Sequence, residues 1–249
     1  MGDAFTGIKD DMSAPLDIAV IIPCYNHARE LGHTLDALAR QTLLPSEVIV
    51  IDDGSSDNPS SVVTQWAGPF SVRFERFSER RGAPAARNTG AHLTNSPLLL
   101  FLDADAELVP DALDMMRRAL EDHPEADFAY ADFYWGKRLF SGRSFDLLSL
   151  KERNYIHTSS LLRRSAFPGF DESLKKFQDW DLWLTMAERG SKGVWIHRPL
   201  YRIEPRHEGM SRWLPKFVYW IPWARLGFQP KEVGRYKEAE GIVRNKHRI

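Results

Sequence analysis

Through the first two-thirds of the chain, short β-branched apolar runs alternate with stretches whose apolar positions recur every three to four residues. The runs at 18–23, 47–52, 72–77, 98–102 and 128–133 predict five strands. Between them, 28–40, 83–94 and 110–123 predict helices, the last carrying Leu113, Met116 and Leu120 on one face. Asp57 stands where it would cap a further helix opened by Pro59. Such alternation predicts an α/β fold, with a mostly parallel sheet and helices on both faces. Past residue 140 the pattern fades. A helix is predicted at 179–189, with Leu182, Trp183 and Met186 on one face, and Trp195 and Ile196 end a short strand. Beyond Ser211 the chain is rich first in aromatic and then in charged residues.

Composition narrows the function classes. At 249 residues and 43% hydrophobic, the chain can bury a substantial core. Its net charge of −1, from 33 basic and 34 acidic residues, excludes the basic excess expected of a nucleic-acid binder. A single cysteine, Cys24, excludes a disulfide framework and a cysteine-rich zinc site, and reads as a small core residue. Residues 1–15 are polar and acidic, unlike a signal peptide, and no apolar run is long enough to span a membrane. The expected location is therefore cytoplasmic. Met1-Gly2-Asp3-Ala4-Phe5-Thr6 fits the loose myristoylation pattern and is read as chance.

In open α/β sheets ligands bind beyond the carboxyl ends of the strands. Three polar clusters fall there: Tyr25 and Asn26 after the first strand, Asp52 and Asp53 after the second, Asp103 and Asp105 after the fourth. In extended chain, Asp103 and Asp105 would face one ligand while Ala104 faces the core. Two such carboxylates repel unless a cation lies near, and Mg²⁺ or Mn²⁺ accepts carboxylate, water and phosphate oxygens together. Asp53 could accept a hydrogen bond from a nucleobase ring N–H. Asp179-Trp180-Asp181 opens a helix, where an acid serves as a cap or, beside Trp180 and Trp183, as a general base with a raised pKa.

Five segments occur in order: Val20-Ile21-Ile22-Pro23-Cys24-Tyr25-Asn26, Ile51-Asp52-Asp53-Gly54-Ser55-Ser56-Asp57, Ala86-Arg87-Asn88-Thr89-Gly90, Leu102-Asp103-Ala104-Asp105 and Gln178-Asp179-Trp180-Asp181-Leu182-Trp183. Together they resemble the family 2 inverting glycosyltransferases with the A-type fold, across roughly residues 17–213. The resemblance implies a nucleotide-binding, Rossmann-like mixed sheet in a single domain with a C-terminal helical and aromatic extension. It implies that Pro23, Tyr25 and Asp53 hold the nucleobase, usually uracil, with Glu30 beside the nucleotide. Arg87 would orient the base or Asp103, Asp103 would contact ribose, and Asp105 would bind Mn²⁺ or Mg²⁺. Asp179 would be the general base, with Gln178 in place of the usual Glu. Residues 202–211 resemble the stretch that closes over the diphosphate, with His207 or Arg206 as candidates and His207 as a further metal ligand. The implied partners are a nucleoside diphosphate sugar donor and a glycan or lipid-linked acceptor.

On this reading 1–15 is a disordered tail, 16–135 the nucleotide-sugar half, 136–212 the acceptor and base half, and 213–249 an extension. The aromatic cluster Trp213, Phe217, Tyr219, Trp220, Trp223 and Phe228 leaves two readings open. One is docking at the inner face of a membrane. The other, favoured because Pro215 and Pro222 interrupt any long helix, is packing against the catalytic domain or a second copy of the chain. The rival functions are a sugar nucleotidyltransferase and a degenerate carbohydrate-binding or scaffold protein. The first would need a Gly-rich phosphate loop after the first strand, which Pro23-Cys24-Tyr25-Asn26 is not, and intact Asp103, Asp105 and Asp179 count against the second. A dinucleotide dehydrogenase is excluded by the missing Gly-x-Gly-x-x-Gly.

Overall fold

The structure, a computed structural model, describes residues 17–204 and 230–249. His207 and the aromatic cluster at 213–228 lie outside the described residues.

The parallel part of the sheet is built from β1 (Ile18–Cys24), β2 (Glu47–Asp52), β3 (Val72–Arg76) and β4 (Leu98–Phe101). It continues with β5 (Ala106–Leu108), β6 (Phe128–Trp135), β7 (Arg138–Phe140), β8 (Leu161–Arg163) and β9 (Gly193–Ile203). The strand order is β3-β2-β1-β4-β8-β6-β9-β5, with β7 paired to β6. β1, β2, β3 and β4 are parallel, and β6 and β9 form a second parallel pair. Between them β8 runs antiparallel to β4 and β6, and β5 runs antiparallel to β9. The sheet is thus mixed, as the resemblance implied.

The helices are α1 (Ala28–Ala39), α2 (Pro59–Thr64), α3 (Ala83–His92), α4 (Ala112–Asp122), α5 (Leu147–Glu152), α6 (Gln178–Glu188) and α7 (Lys231–Lys246). Successive β1 side chains enter opposite layers, as strand periodicity requires. Ile18, Val20 and Ile22 join Leu31, Leu35 and Leu38 of α1 and Leu113, Met116 and Leu120 of α4. Ala19 and Ile21 join Ala91 of α3, Leu150 of α5, Trp180 and Trp183 of α6, and Val243 of α7. Fully buried aliphatics such as Val20, Ile21 and Ile22 each contribute about 1.5–3 kcal/mol.

Several expectations change. β9 has eleven residues, far longer than the short strand predicted near Trp195. Its register against β6 shifts at Asp132, a bulge that breaks the alternation a sequence reading depends on. Asp57 does not cap α2, whose N-cap position is taken by Asn58 in a left-handed conformation; the Asp57 carboxylate accepts instead from the Ala28 amide at the start of α1, 2.8 Å away. β4 ends at Phe101, and Asp103-Ala104-Asp105 forms a turn rather than extended chain.

Candidate active site

The parallel strands deliver their carboxyl ends to one edge, and the strand-end residues gather there. β1 leads through Pro23 to Tyr25, and Asn26 takes a positive φ of 55°. Asn26 Oδ1 accepts from the Ser56 amide at 2.9 Å, which ties the loop after β1 to the loop after β2. Glu30 lies in the first turn of α1, on the same edge. Cys24 is buried, and burial pushes its thiol up to about 12, so it is packing and not chemistry.

Asp52 and Asp53 divide their work. Asp52 accepts from the Ser55 amide at 2.8 Å and pairs with Arg76 at 3.1 Å, holding the turn. Asp53 accepts from the Arg81 amide at 2.6 Å and from Gly82 at 2.9 Å. Gly82 has a φ of 95°, a conformation costly for any other residue. The Arg80 guanidinium sits 3.6 Å from Asp53 and 3.9 Å from the Tyr25 ring centroid. Asp53 therefore organises the loop before α3, and a nucleobase N–H reaching it would share oxygens already engaged.

The turn after β4 is pinned by Thr34 of α1, whose hydroxyl donates to the Ala104 carbonyl at 2.8 Å. Ala104 is buried, while Asp103 and Asp105 stay partly open. Asp103 accepts from Arg87 at 2.7 Å. Burial disfavours its charge, but Arg87 and His157 outweigh that and hold the carboxyl below the usual range. Among the described residues, no cation contributes in this way at Asp105. Burial first, and then the charge of Asp103, push it up to about 6.

Arg87 is the hinge of the arrangement. Only 6% exposed, it donates to Asp103 and also to Gln178 Oε1 at 3.0 Å. One guanidinium thus joins the turn after β4 to the first turn of α6, where Gln178 lies 91 residues along the chain from Arg87. Asp179 follows directly. Its Oδ2 accepts from Asn154 Nδ2 at 2.8 Å, and burial raises its pKa despite the opposing pull of His157. The ring of His157 packs beside Phe133 and Tyr201, with centroids 4.9 and 5.4 Å away. Its Nδ1 accepts from the Ser159 amide at 3.1 Å, which leaves the proton of the neutral ring on Nε2. Burial lowers its pKa against the attraction of Asp103 and Asp179. Tyr201 is 1% exposed and its Oη has no hydrogen-bond partner among the described residues. Its pKa is raised by burial and then by Asp103, Asp179 and Asp132.

Asn154, His157 and Tyr201 were not singled out from the sequence. Neither Asn154 nor His157 follows a predicted strand, and Tyr201 lies in the unpredicted half of β9. His207 falls outside the described residues. Among those described, no group of three His, Cys, Asp or Glu converges on a metal position. Two carboxylates nevertheless suit a hard divalent cation that keeps water and phosphate ligands.

The family model for glycosyl transferase family 2 matches residues 19–170, more than half of the chain. The chain belongs to this family. A PGL/p-HBAD biosynthesis glycosyltransferase of Mycobacterium tuberculosis is 31% identical over 177 residues, covering 68% of this chain and 69% of the relative. An uncharacterized glycosyltransferase of Haemophilus influenzae is 33% identical over 113 residues, and the match spans 45% of this chain and 37% of that relative. Among solved structures, S. aureus TarS 1-349 in complex with UDP-GlcNAc superposes with a TM-score of 0.69 at 19% identity, covering 88% of this chain and 69% of that one. The mannosyltransferase PcManGT from Pyrobaculum calidifontis, in complex with GDP-Man and Mn²⁺, gives 0.63 at 20% identity, covering 94% and 72%. At those identities the likeness establishes the fold. The mixed sheet is the A-type glycosyltransferase architecture, and the matched segment runs from β1 through the loop before α6.

Proposed function

We propose that this family 2 member is an inverting glycosyltransferase, moving a sugar from a UDP-linked donor to a hydroxyl of a glycan or lipid-linked acceptor. One observation carries the reading. Arg87 binds Asp103 and Gln178 together, so the carboxylate pair after β4 and the buried acid Asp179 belong to one electrostatic unit at the carboxyl edge of the sheet. Residues 16–135 then serve the donor, and 136–212 the acceptor and its proton. The protein would work in the cytoplasm, with peripheral contact at the inner membrane face when the acceptor is lipid-linked. No described helix is long and apolar enough to cross a membrane.

Each residue has a task in this reaction. Pro23 and Tyr25 flank the nucleobase, Asp53 shapes the loop beside it, and Glu30 lies next to the nucleotide. Asp103, held ionised by Arg87, accepts from ribose hydroxyls. Asp105, with His207, would hold Mn²⁺ or Mg²⁺, which when bound offsets the charge gathering on the diphosphate. The acceptor oxygen attacks the anomeric carbon from the side opposite the diphosphate, and the bond to the diphosphate breaks with its electron pair. The acceptor proton passes to Asp179. Burial suits Asp179 to this, because a carboxylate with a raised pKa takes a proton more readily. Asn154 fixes which oxygen of Asp179 faces the acceptor. His157, buried between the rings of Phe133 and Tyr201, walls the cleft beside Asp103 and Asp179.

A thermal-shift panel with UDP, GDP and their sugars, each with and without Mn²⁺, tests the donor assignment. UDP and its sugars are expected to raise the melting temperature, and more so with Mn²⁺. A response to no nucleotide, with or without the metal, would sink the proposal and favour the scaffold reading.

A further inference from the structure

The C-terminal helix α7 contacts α6 and the residue before it at the first turn, through Tyr236, Lys246 and the adjoining His247. Asp181 there is 2% exposed, and a buried carboxylate is tolerated only when paired. Both partners come from the end of α7. Lys246 Nζ lies 2.8 Å from Asp181 and also 2.8 Å from Asp171, in the loop before α6. His247 is itself buried, with Nε2 2.9 Å from Asp181 and Nδ1 3.0 Å from Glu188 at the far end of α6. Both ring nitrogens face carboxylates, an arrangement that uses two N–H donors.

The same turn carries strain that α7 covers. Phe177, just before α6, has a φ of 59°, unusual for a bulky residue, and offers the helix no side-chain cap. Tyr236 of α7 packs edge-on against it, 4.9 Å between ring centroids. Trp180 donates to the Leu150 carbonyl at 2.7 Å, and Arg244 of α7 lies 5.3 Å from its ring centroid. Asp179 is therefore flanked in the chain by Gln178, held by Arg87, and by Trp180 and Asp181, held by α7.

We infer that Lys246 and His247 are positioning residues for glycosyl transfer, acting through Asp181 to fix the first turn of α6 and with it the carboxylate of Asp179. The inference rests on the assignment of Asp179 as the base. A shift of about 1 Å in a reacting group can cost on the order of 100-fold in rate. Loss of the grip therefore affects turnover more than donor binding, because the proposed nucleotide residues Pro23, Tyr25, Glu30 and Asp53 lie on α1 and at the ends of β1 and β2.

The test uses the full-length chain with Lys246→Met and His247→Gln, alone and together, and Lys246→Arg as the conservative control. Release of UDP from UDP-glucose and UDP-GlcNAc with Mn²⁺ gives kcat, calorimetric titration with UDP gives Kd, and hydrogen exchange reports the amides of 177–181. The double variant is expected to lose about 10- to 100-fold in kcat, with the Kd for UDP within about twofold of the parent and faster exchange confined to 177–181. Lys246→Arg is expected to retain the parental rate. If the double variant does not fold, adding Asp181→Asn removes the buried charge, and the triple variant is expected to fold with low kcat. Parental kcat in any folded variant lacking both partners, or unchanged exchange at 177–181, overturns the inference. An Asp179→Asn arm separates the two levels. If it keeps full turnover, the base assignment is wrong; if it loses turnover while the double variant keeps it, only the role of α7 is wrong.

Discussion

Asp105 and Asp179 both have raised pKa values with burial as the first cause, and they face different fates. Asp105 lies beside another carboxylate, and its pKa is pushed to about 6. An acid raised in the folded state favours folding while protonated. That contribution is present below the unfolded value near 3.8 and is lost as pH rises through about 6. At pH 7.5, metal-free protein therefore carries an unfavourable charge there. Asp105→Asn should melt higher than the parent at pH 7.5 without metal, by roughly 2–4 °C for each kcal/mol relieved. The gain should vanish near pH 4, and equal melting at pH 7.5 would remove the strain assigned to Asp105. Added Mn²⁺ should raise the parent and leave the variant unchanged. For Asp179 the neighbour that matters is Asn154. Asn154→Ala should lower kcat about tenfold or more with the Kd for UDP unchanged, since an orienting hydrogen bond is lost while the base stays. A parental kcat would leave Asn154 with no part in orienting the base.

At the level of elements, the close fit of α3 on the sheet explains a motif residue. A methyl group at Gly90 would come 2.4 Å from Ile21 Cγ2, so the helix can lie on β1 only without a side chain there. Gly90→Ala should cost about 1–3 kcal/mol by overpacking, read as a lower denaturant midpoint. An unchanged midpoint would mean that the α3–β1 contact yields easily. The consequence reaches the site, because α3 carries Arg87. Elements in the first half were legible because each obeys one period: strands β1 to β4 and helices α1, α3 and α4 were placed to within a few residues. The short strands β5, β7 and β8 hold three residues each, too few to show alternation. α7 buries only Val233 and Val243 among its residues and attaches through Tyr236, Lys246 and the adjoining His247, so it lacks the apolar stripe that marks a packed helix.

Across the whole molecule, the site draws on segments from residue 23 to residue 201, and its legibility follows from how each part is anchored. Asp53, Asp103 and Asp105 follow parallel strands, where their place after an apolar run singles them out. Asp179 was visible through its motif. Asn154, His157 and Tyr201 enter through tertiary packing, and no local pattern marks them. The resemblance offered Arg87 either the base or Asp103, and its second bond, to Gln178, depends on α6 crossing back to the edge. In the proposed reaction, that crossing lets the donor-side turn and Asp179 act together. The most direct test is UDP release from the nucleotide sugar that the thermal panel selects, with Mn²⁺ and water as acceptor, comparing the parent with Asp179→Asn. The expected result is metal-stimulated release by the parent and a loss of about 10²–10⁴-fold in the variant, with UDP affinity intact. Equal release by the two proteins would contradict the account at its centre.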